Sequence, residues 1–174
     1  LSDRPAVVTM DVLTDAFVDA GHYRDLSWTR HVDAFLPSEA EIDDIWAPRD
    51  PVAWLVDAAR QGSCHMIGKF GIHGSVVAEA RTGRVIEVPA LAVDAVDTTG
   101  AGDAYCGGFL AGMAAGRTLA ICAAMGTVSA SYVVEASGAL STAVPTPLER
   151  DDRLRQVLSG LGQNFENSVL ERGV

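Results

Sequence analysis

The chain has 174 residues, 48% of them apolar and only 6% aromatic, which suits one globular α/β domain with a substantial core and leaves no sign of disorder. Its formal net charge of −10 argues against a nucleic-acid partner, because a phosphate backbone needs a basic patch. It does not argue against a nucleotide, which needs only a local site. No apolar run is long enough to span a bilayer, so no membrane partner is expected, and Leu1-Ser2-Asp3-Arg4-Pro5 lacks the features of a signal peptide. Cys64, Cys106 and Cys122 lack metal-ligand spacing, so buried thiols and a reducing, cytoplasmic setting are expected.

Along the chain, Ala6-Val7-Val8-Thr9-Met10 is a short apolar run ending at Asp11 and predicts a buried strand. Ala34-Phe35-Leu36 predicts a second, stopped by Pro37. Ser38 then reads as a helix N-cap, with Glu41 completing a capping box ahead of Ile42 and Ile45. From Pro51 to Arg60, Val52, Leu55, Val56 and Ala59 recur at helical spacing, with Gly62 just beyond the end. Cys64 to Phe70 reads as a buried strand, followed by the turn Gly71-Ile72-His73-Gly74. Ser75 to Ala80 and Arg84 to Val88 flank Thr82-Gly83, the mark of a hairpin.

Two helices are predicted near 103–115 and 118–135, separated by Gly116. Ser137-Gly138-Ala139 predicts a turn and Val144-Pro145-Thr146-Pro147 a stiff extended segment. Leu154, Val157, Leu158 and Leu161 make a last amphipathic helix, and residues 163–174 are expected to fray. This alternation implies a mainly parallel sheet covered on both faces, with ligands at the carboxyl ends of its strands. His22, His31, His65 and His73 share no metal-binding pattern and are expected on the surface or in loops. Trp28, Trp46 and Trp54 are expected to pack the core.

The run Asp97-Thr98-Thr99-Gly100-Ala101-Gly102-Asp103 lies between the apolar stretch Val85–Ala90 and the helix-like stretch Ala104–Gly112. A Gly-rich turn opening a helix exposes unpaired N–H groups at the positive end of the helix dipole, which suits phosphate. Asp103, in the first turn, adds a base that can take a proton beside the bound group. Capping and helix punctuation account for part of the run, but not for a carboxylate at each end of Gly-Ala-Gly. The run therefore points to phosphoryl transfer. A non-catalytic nucleotide-binding module remains open as an alternative. A dinucleotide-dependent Rossmann enzyme is disfavoured, because no Gly-x-Gly-x-x-Gly stands at a first strand–helix turn.

Together these residues resemble the ribokinase-like family of carbohydrate kinases, often called the PfkB family. Asp97–Asp103, with the small residues through Gly108-Phe109, is close to its second signature. Pro37–Glu41 resembles its Asn-x-x-Glu segment, Lys69–Gly74 its Thr-x-Gly-x-x-Gly nucleotide loop, and Ala136–Ala139 with Pro145 its closing segment. The resemblance implies a three-layer α/β/α fold and transfer of the γ-phosphate of ATP to a hydroxymethyl group of a sugar or nucleoside. It implies Asp103 as the base and the amides of Gly100, Ala101 and Gly102 as the anion hole. Lys69, Phe70, Gly71, Ile72, His73 and Gly74 would line the nucleotide, and Thr127 would lie near the adenine. Ser38 would approach the phosphates, and Glu41 would help to organise Mg²⁺ through water. A potassium site would use Asp97, Thr99 and the carbonyls of Val133, Ala136 and Gly138.

Three positions depart from the family pattern: Ser38 and Thr127 stand where it has Asn, and Lys69 where it has Thr. The family's N-terminal half, with a Gly-Gly motif, most sugar contacts and a small β lid, has no counterpart here. Residues 1–174 are therefore expected to form a single α/β domain, the C-terminal nucleotide-binding and catalytic part of a kinase. As an inactive fragment or a weakly active one, it would need the rest of the enzyme for ordinary turnover, and any homodimer would belong to the full-length protein. Ribose, fructose, a deoxy-keto-gluconate and adenosine all stay open as substrates.

Overall fold

The computed structural model describes residues 6–13, 19 and 21–171, with side chains described through Leu161. Five strands form one sheet in the order β1-β2-β3-β4-β5: Thr9–Met10, Ala34–Phe35, His65–Lys69, Ser75–Ala78 and Val85–Val88. β1 runs parallel to β2, with Thr9 opposite Ala34, and β2 parallel to β3, with Ala34 opposite His65. The links 70–74 and 79–84 are too short for the crossover that parallel neighbours need, so β4 runs against the other strands. The sheet is mixed but mostly parallel. The backbone groups into two compact units: Leu1–Phe70 with Val76–Ile86, and Gly71–Ser75 with Glu87–Val174. No helix among the described residues is long and apolar enough to cross a membrane.

In the first unit, β2 buries Ala34 and Phe35 completely, and the helix α2 (Glu39–Ile45) follows at once. Its start is a complete capping box: the Ser38 Oγ accepts the Glu41 N–H at 3.3 Å, and the Glu41 carboxylate accepts the Ser38 N–H at 2.6 Å. Asp50 caps α3 (Pro51–Gln61), which buries Leu55 and Ala59 against Phe35, Ile42, Ile45 and Met66. The tryptophans pack here as expected. Trp28 meets Phe35 edge-on at 4.8 Å, Phe35 meets Trp46 at 5.9 Å, and Trp46 lies 4.6 Å from Trp54. Between β1 and β2 lie the short helix α1 (Gly21–Arg24) and a 3₁₀ turn, Leu26–His31. Both are too short to show a helical period in sequence.

His65 is a correction. Expected on the surface or in a loop, it sits half-buried in β3, where its Nδ1 accepts the Ala80 N–H at 3.1 Å. Burial holds its pKa below the usual 6.5, against the opposing pull of the Glu79 and Asp33 carboxylates. The folded chain therefore keeps His65 neutral where the unfolded chain takes up a proton. Its contribution to stability is complete above pH 6.5 and is lost as the pH falls from there toward the lowered folded value. Urea midpoints are expected to drop between about pH 7 and about pH 5, and to drop less in His65→Gln. An equal drop in both proteins assigns the titration to another group.

In the second unit, α4 (Ala101–Ala114) packs on α5 (Leu119–Val133) through small residues. A Cβ on Gly108 would lie 2.5 Å from the Met125 carbonyl oxygen, and one on Gly112 would lie 2.9 Å from the Cys122 Cα. The two backbones come closer than any larger residue at those positions permits.

The segment Val144–Pro147 is a second correction, because Pro147 opens the helix α6 (Pro147–Glu171) instead of extending the chain. Proline suits a first helical position, where its missing N–H costs nothing. Thr146 and Glu149 form the capping box there, with the Glu149 carboxylate accepting the Thr146 N–H at 2.8 Å. Arg153 ties α6 to α5, reaching the Ser131 Oγ at 2.8 Å and lying 3.9 Å above the Tyr132 ring. The α6 backbone continues through Glu171, within the stretch expected to fray, and residues 172–174 lie outside the described residues.

Candidate active site

The turn before α4 lies wholly within the second unit. Gly100 is the helix N-cap, with φ +81° and ψ 1°, a left-handed conformation that side chains disfavour. A Cβ there would also stand 2.5 Å from the Ala139 Cβ. No side chain caps this helix end. The Ala101 N–H donates to the Thr98 carbonyl at 3.1 Å, and the Ala104 N–H to the Gly100 carbonyl at 2.9 Å. Among the described residues, the N–H groups of Gly100, Gly102 and Asp103 find no acceptor. Of the three expected anion-hole donors, Gly100 and Gly102 are therefore free in this turn, while Ala101 is engaged. The free amides stand where the helix dipole favours an anion. Asp103 is exposed in the first helical turn and has no hydrogen-bond or ion-pair partner among the described residues.

Asp97 holds the turn in place. One carboxylate oxygen accepts the Thr99 N–H at 2.9 Å, and the other accepts the Gly138 N–H at 2.8 Å. The Val96 and Asp97 amides both donate to the Val134 carbonyl, at 2.7 and 3.2 Å. The bonds from Thr99, and then that from Gly138, hold the Asp97 carboxyl below the usual carboxylate range. These bonds join Asp97 to Thr99 and to Gly138, two of the other residues expected around a cation. The Val133 carbonyl accepts the Ala136 N–H at 3.2 Å, and the Gly138 carbonyl accepts the Ser141 N–H at 3.3 Å. Each carbonyl oxygen keeps a second lone pair, and an all-oxygen donor set fits a hard cation. Among the described residues, no three His, Cys, Asp or Glu side chains gather to hold a metal.

The Gly71–Gly74 loop lies in the same unit and closes as a 3₁₀ turn, Gly71–His73, with the Gly74 N–H donating to the Gly71 carbonyl at 3.1 Å. Gly74, at φ +90°, is pressed on the backbone after β5: a Cβ would lie 2.9 Å from the Ala90 nitrogen and closer still to the Val88 oxygen. Ile72 and His73 are exposed, Ile72 at 87%. Thr127 is buried on α5.

Lys69 and Phe70 belong to the first unit, as do Ser38 and Glu41. Lys69 forms an ion pair with Asp11 at the end of β1, and its N–H donates to the Pro37 carbonyl at 3.0 Å. Its partner lies 58 residues away in sequence, and no local pattern reveals it. The bond from the Tyr105 hydroxyl to the Ser75 Oγ, at 2.8 Å, was equally hidden, because Tyr105 reads in sequence only as one more apolar residue of a helix.

The open, mostly parallel sheet with its helices is that of ribokinase-like proteins. The solved nucleoside kinase of Methanocaldococcus jannaschii, an archaeal member of the ribokinase family, superposes with a TM-score of 0.68 at 27% identity, over 86% of this chain and 48% of that one. Residues 6–147 match the sequence pattern of the pfkB family carbohydrate kinases, and the chain belongs to that family. It is 42% identical over 77 residues to a nucleoside kinase of Methanocaldococcus jannaschii, covering 44% of this chain and 24% of the relative. Over 109 residues it is 32% identical to an ATP-dependent 6-phosphofructokinase of Thermoanaerobacterium thermosaccharolyticum, covering 63% and 33%. The chain thus covers under half the length of each of these three relatives.

Proposed function

We propose that the natural protein carrying this chain transfers the γ-phosphate of ATP to a hydroxymethyl group of a sugar or nucleoside. The observation that carries this reading is the uncapped start of α4, with free amides at Gly100 and Gly102 and an unpartnered carboxylate at Asp103 in the same turn. Asp103 takes the proton of the acceptor hydroxyl as its oxygen attacks the γ-phosphorus. The bond from that phosphorus to the bridging oxygen breaks, and ADP leaves. Amides of the Gly100–Gly102 turn stabilise the charge on the transferred group. The loop Gly71–Gly74, with Lys69 and Phe70 before it, carries the nucleotide, and Thr127 stands by its base. Ser38 would approach the phosphates, and Glu41 would help to organise through water a Mg²⁺ ion that would neutralise their charge. Potassium would be held by Asp97, Thr99 and the carbonyls of Val133, Ala136 and Gly138, keeping the turn in shape. The enzyme works on small molecules in the cytoplasm.

ATP labelled at its γ-phosphate, Mg²⁺ and a panel of sugars and nucleosides test this on the natural protein. Label on a primary hydroxyl supports it. Nucleotide binding without transfer to any acceptor favours the other reading, a nucleotide-binding module that does no chemistry.

The assignment of Glu41 has its own test, because its carboxylate also serves the capping box. Glutamine keeps an acceptor at that position, so Glu41→Gln is expected to change stability by under about 1 kcal/mol. A rise in the Mg²⁺ concentration needed for half-maximal turnover supports the role near the metal. An unchanged Mg²⁺ dependence leaves Glu41 as a cap.

A further inference from the structure

Tyr105 lies two residues beyond Asp103 on α4. At about 100° per residue the two side chains leave the helix on nearly opposite sides. The carboxylate is exposed, while the tyrosine is only 6% exposed. Its ring stacks on Phe109 at 6.4 Å and fills a space that Gly126 of α5 leaves open, since a Cβ there would lie 3.0 Å from the ring. Phenylalanine would satisfy that packing equally well. The hydroxyl does something else: it donates to the Ser75 Oγ at 2.8 Å, and Ser75 is itself 3% exposed.

Ser75 immediately follows Gly74, the last residue of the loop assigned to the nucleotide. Gly74 bonds only back to Gly71 within that loop and is braced on the backbone at Val88 and Ala90. The downstream end of the loop is therefore tied by one buried side-chain bond to the helix that starts with the free amides and Asp103. Burial pushes the Tyr105 hydroxyl pKa up, so the phenol stays a donor at any working pH.

We infer that Tyr105 and Ser75 are positioning residues whose buried hydrogen bond sets the Gly71–Gly74 loop relative to the Gly100–Gly102 turn, so that a nucleotide on the first presents its terminal phosphate to the second. This rests on the kinase reading given above.

Calorimetric titration with ATP and thermal melting, applied to Tyr105→Phe, Ser75→Ala and the double variant, test it. Each single change removes one partner of a buried bond and is expected to raise the Kd for ATP about three- to ten-fold and to lower the melting temperature. In the double variant no buried hydroxyl is left unpaired, so the melting temperature should recover in part while the Kd stays raised. That split distinguishes positioning from stabilisation. If Tyr105→Phe fails to fold, Ser75→Ala carries the same comparison. A Kd that stays at the wild-type value in the single variants overturns the inference and leaves the kinase reading intact. A wild-type protein that binds no ATP overturns both.

Discussion

Replacing Asp103 with asparagine is expected to leave ATP binding within about two-fold of wild type and to lower turnover by about 10²- to 10⁴-fold, the usual worth of a positioned general base. The side chain is exposed in the first turn of α4 and bonds to nothing among the described residues, so an isosteric amide removes no structural contact. The change takes away only the ability to accept a proton. Single-turnover transfer from ATP, measured beside equilibrium binding of the nucleotide, separates the two effects. Turnover that survives in Asp103→Asn refutes the base assignment. Loss of binding and turnover together would show that the carboxylate shapes the site instead of acting in it.

Gly100→Ala is expected to damage both stability and chemistry. Its φ of +81° costs a side chain about 1–2 kcal/mol before any contact is considered. The new methyl would also meet the Ala139 Cβ at 2.5 Å, so either the turn or the 137–139 segment must move. Movement there pulls on the bond between Asp97 and Gly138 and misaims the free amides. Turnover should fall by at least about 10²-fold, as for loss of an oxyanion-type donor, and the melting temperature should drop. Adding Ala139→Gly relieves the clash but not the backbone strain, so it should restore stability only in part. A Gly100→Ala protein with wild-type turnover would exclude this turn as the phosphoryl site.

What could be read in advance follows the range of the interactions involved. The capping box of Ser38 and Glu41 spans three residues, and the hairpin about Thr82-Gly83 and the boundaries of α4 and α5 are similarly local. Pro147 reads as extended yet opens a helix, and its signal is local too: Thr146 and Glu149 form the same box spacing, and a proline between them fits a helix start as well as an extended segment. His65 falls in the run read as a buried strand, but its partner could not be read locally, because the N–H it accepts belongs to Ala80, 15 residues on. Lys69 reads as a strand residue leading into the nucleotide loop, yet its charge is taken up by Asp11.

The run from Asp97 to Asp103 shows the same division. Sequence alone determined that a Gly-rich turn opens a helix there, with a carboxylate in its first turn, since chain geometry over a few residues dictates such a turn. Only the tertiary structure decided that Asp97 spends both oxygens on Thr99 and on Gly138, 41 residues away, and that Ala101 is engaged while Gly100 and Gly102 stay free. It alone paired Tyr105 with Ser75 across 30 residues. Such bonds depend on which surfaces packing brings together, and a buried hydroxyl or carboxylate takes whichever partner arrives there.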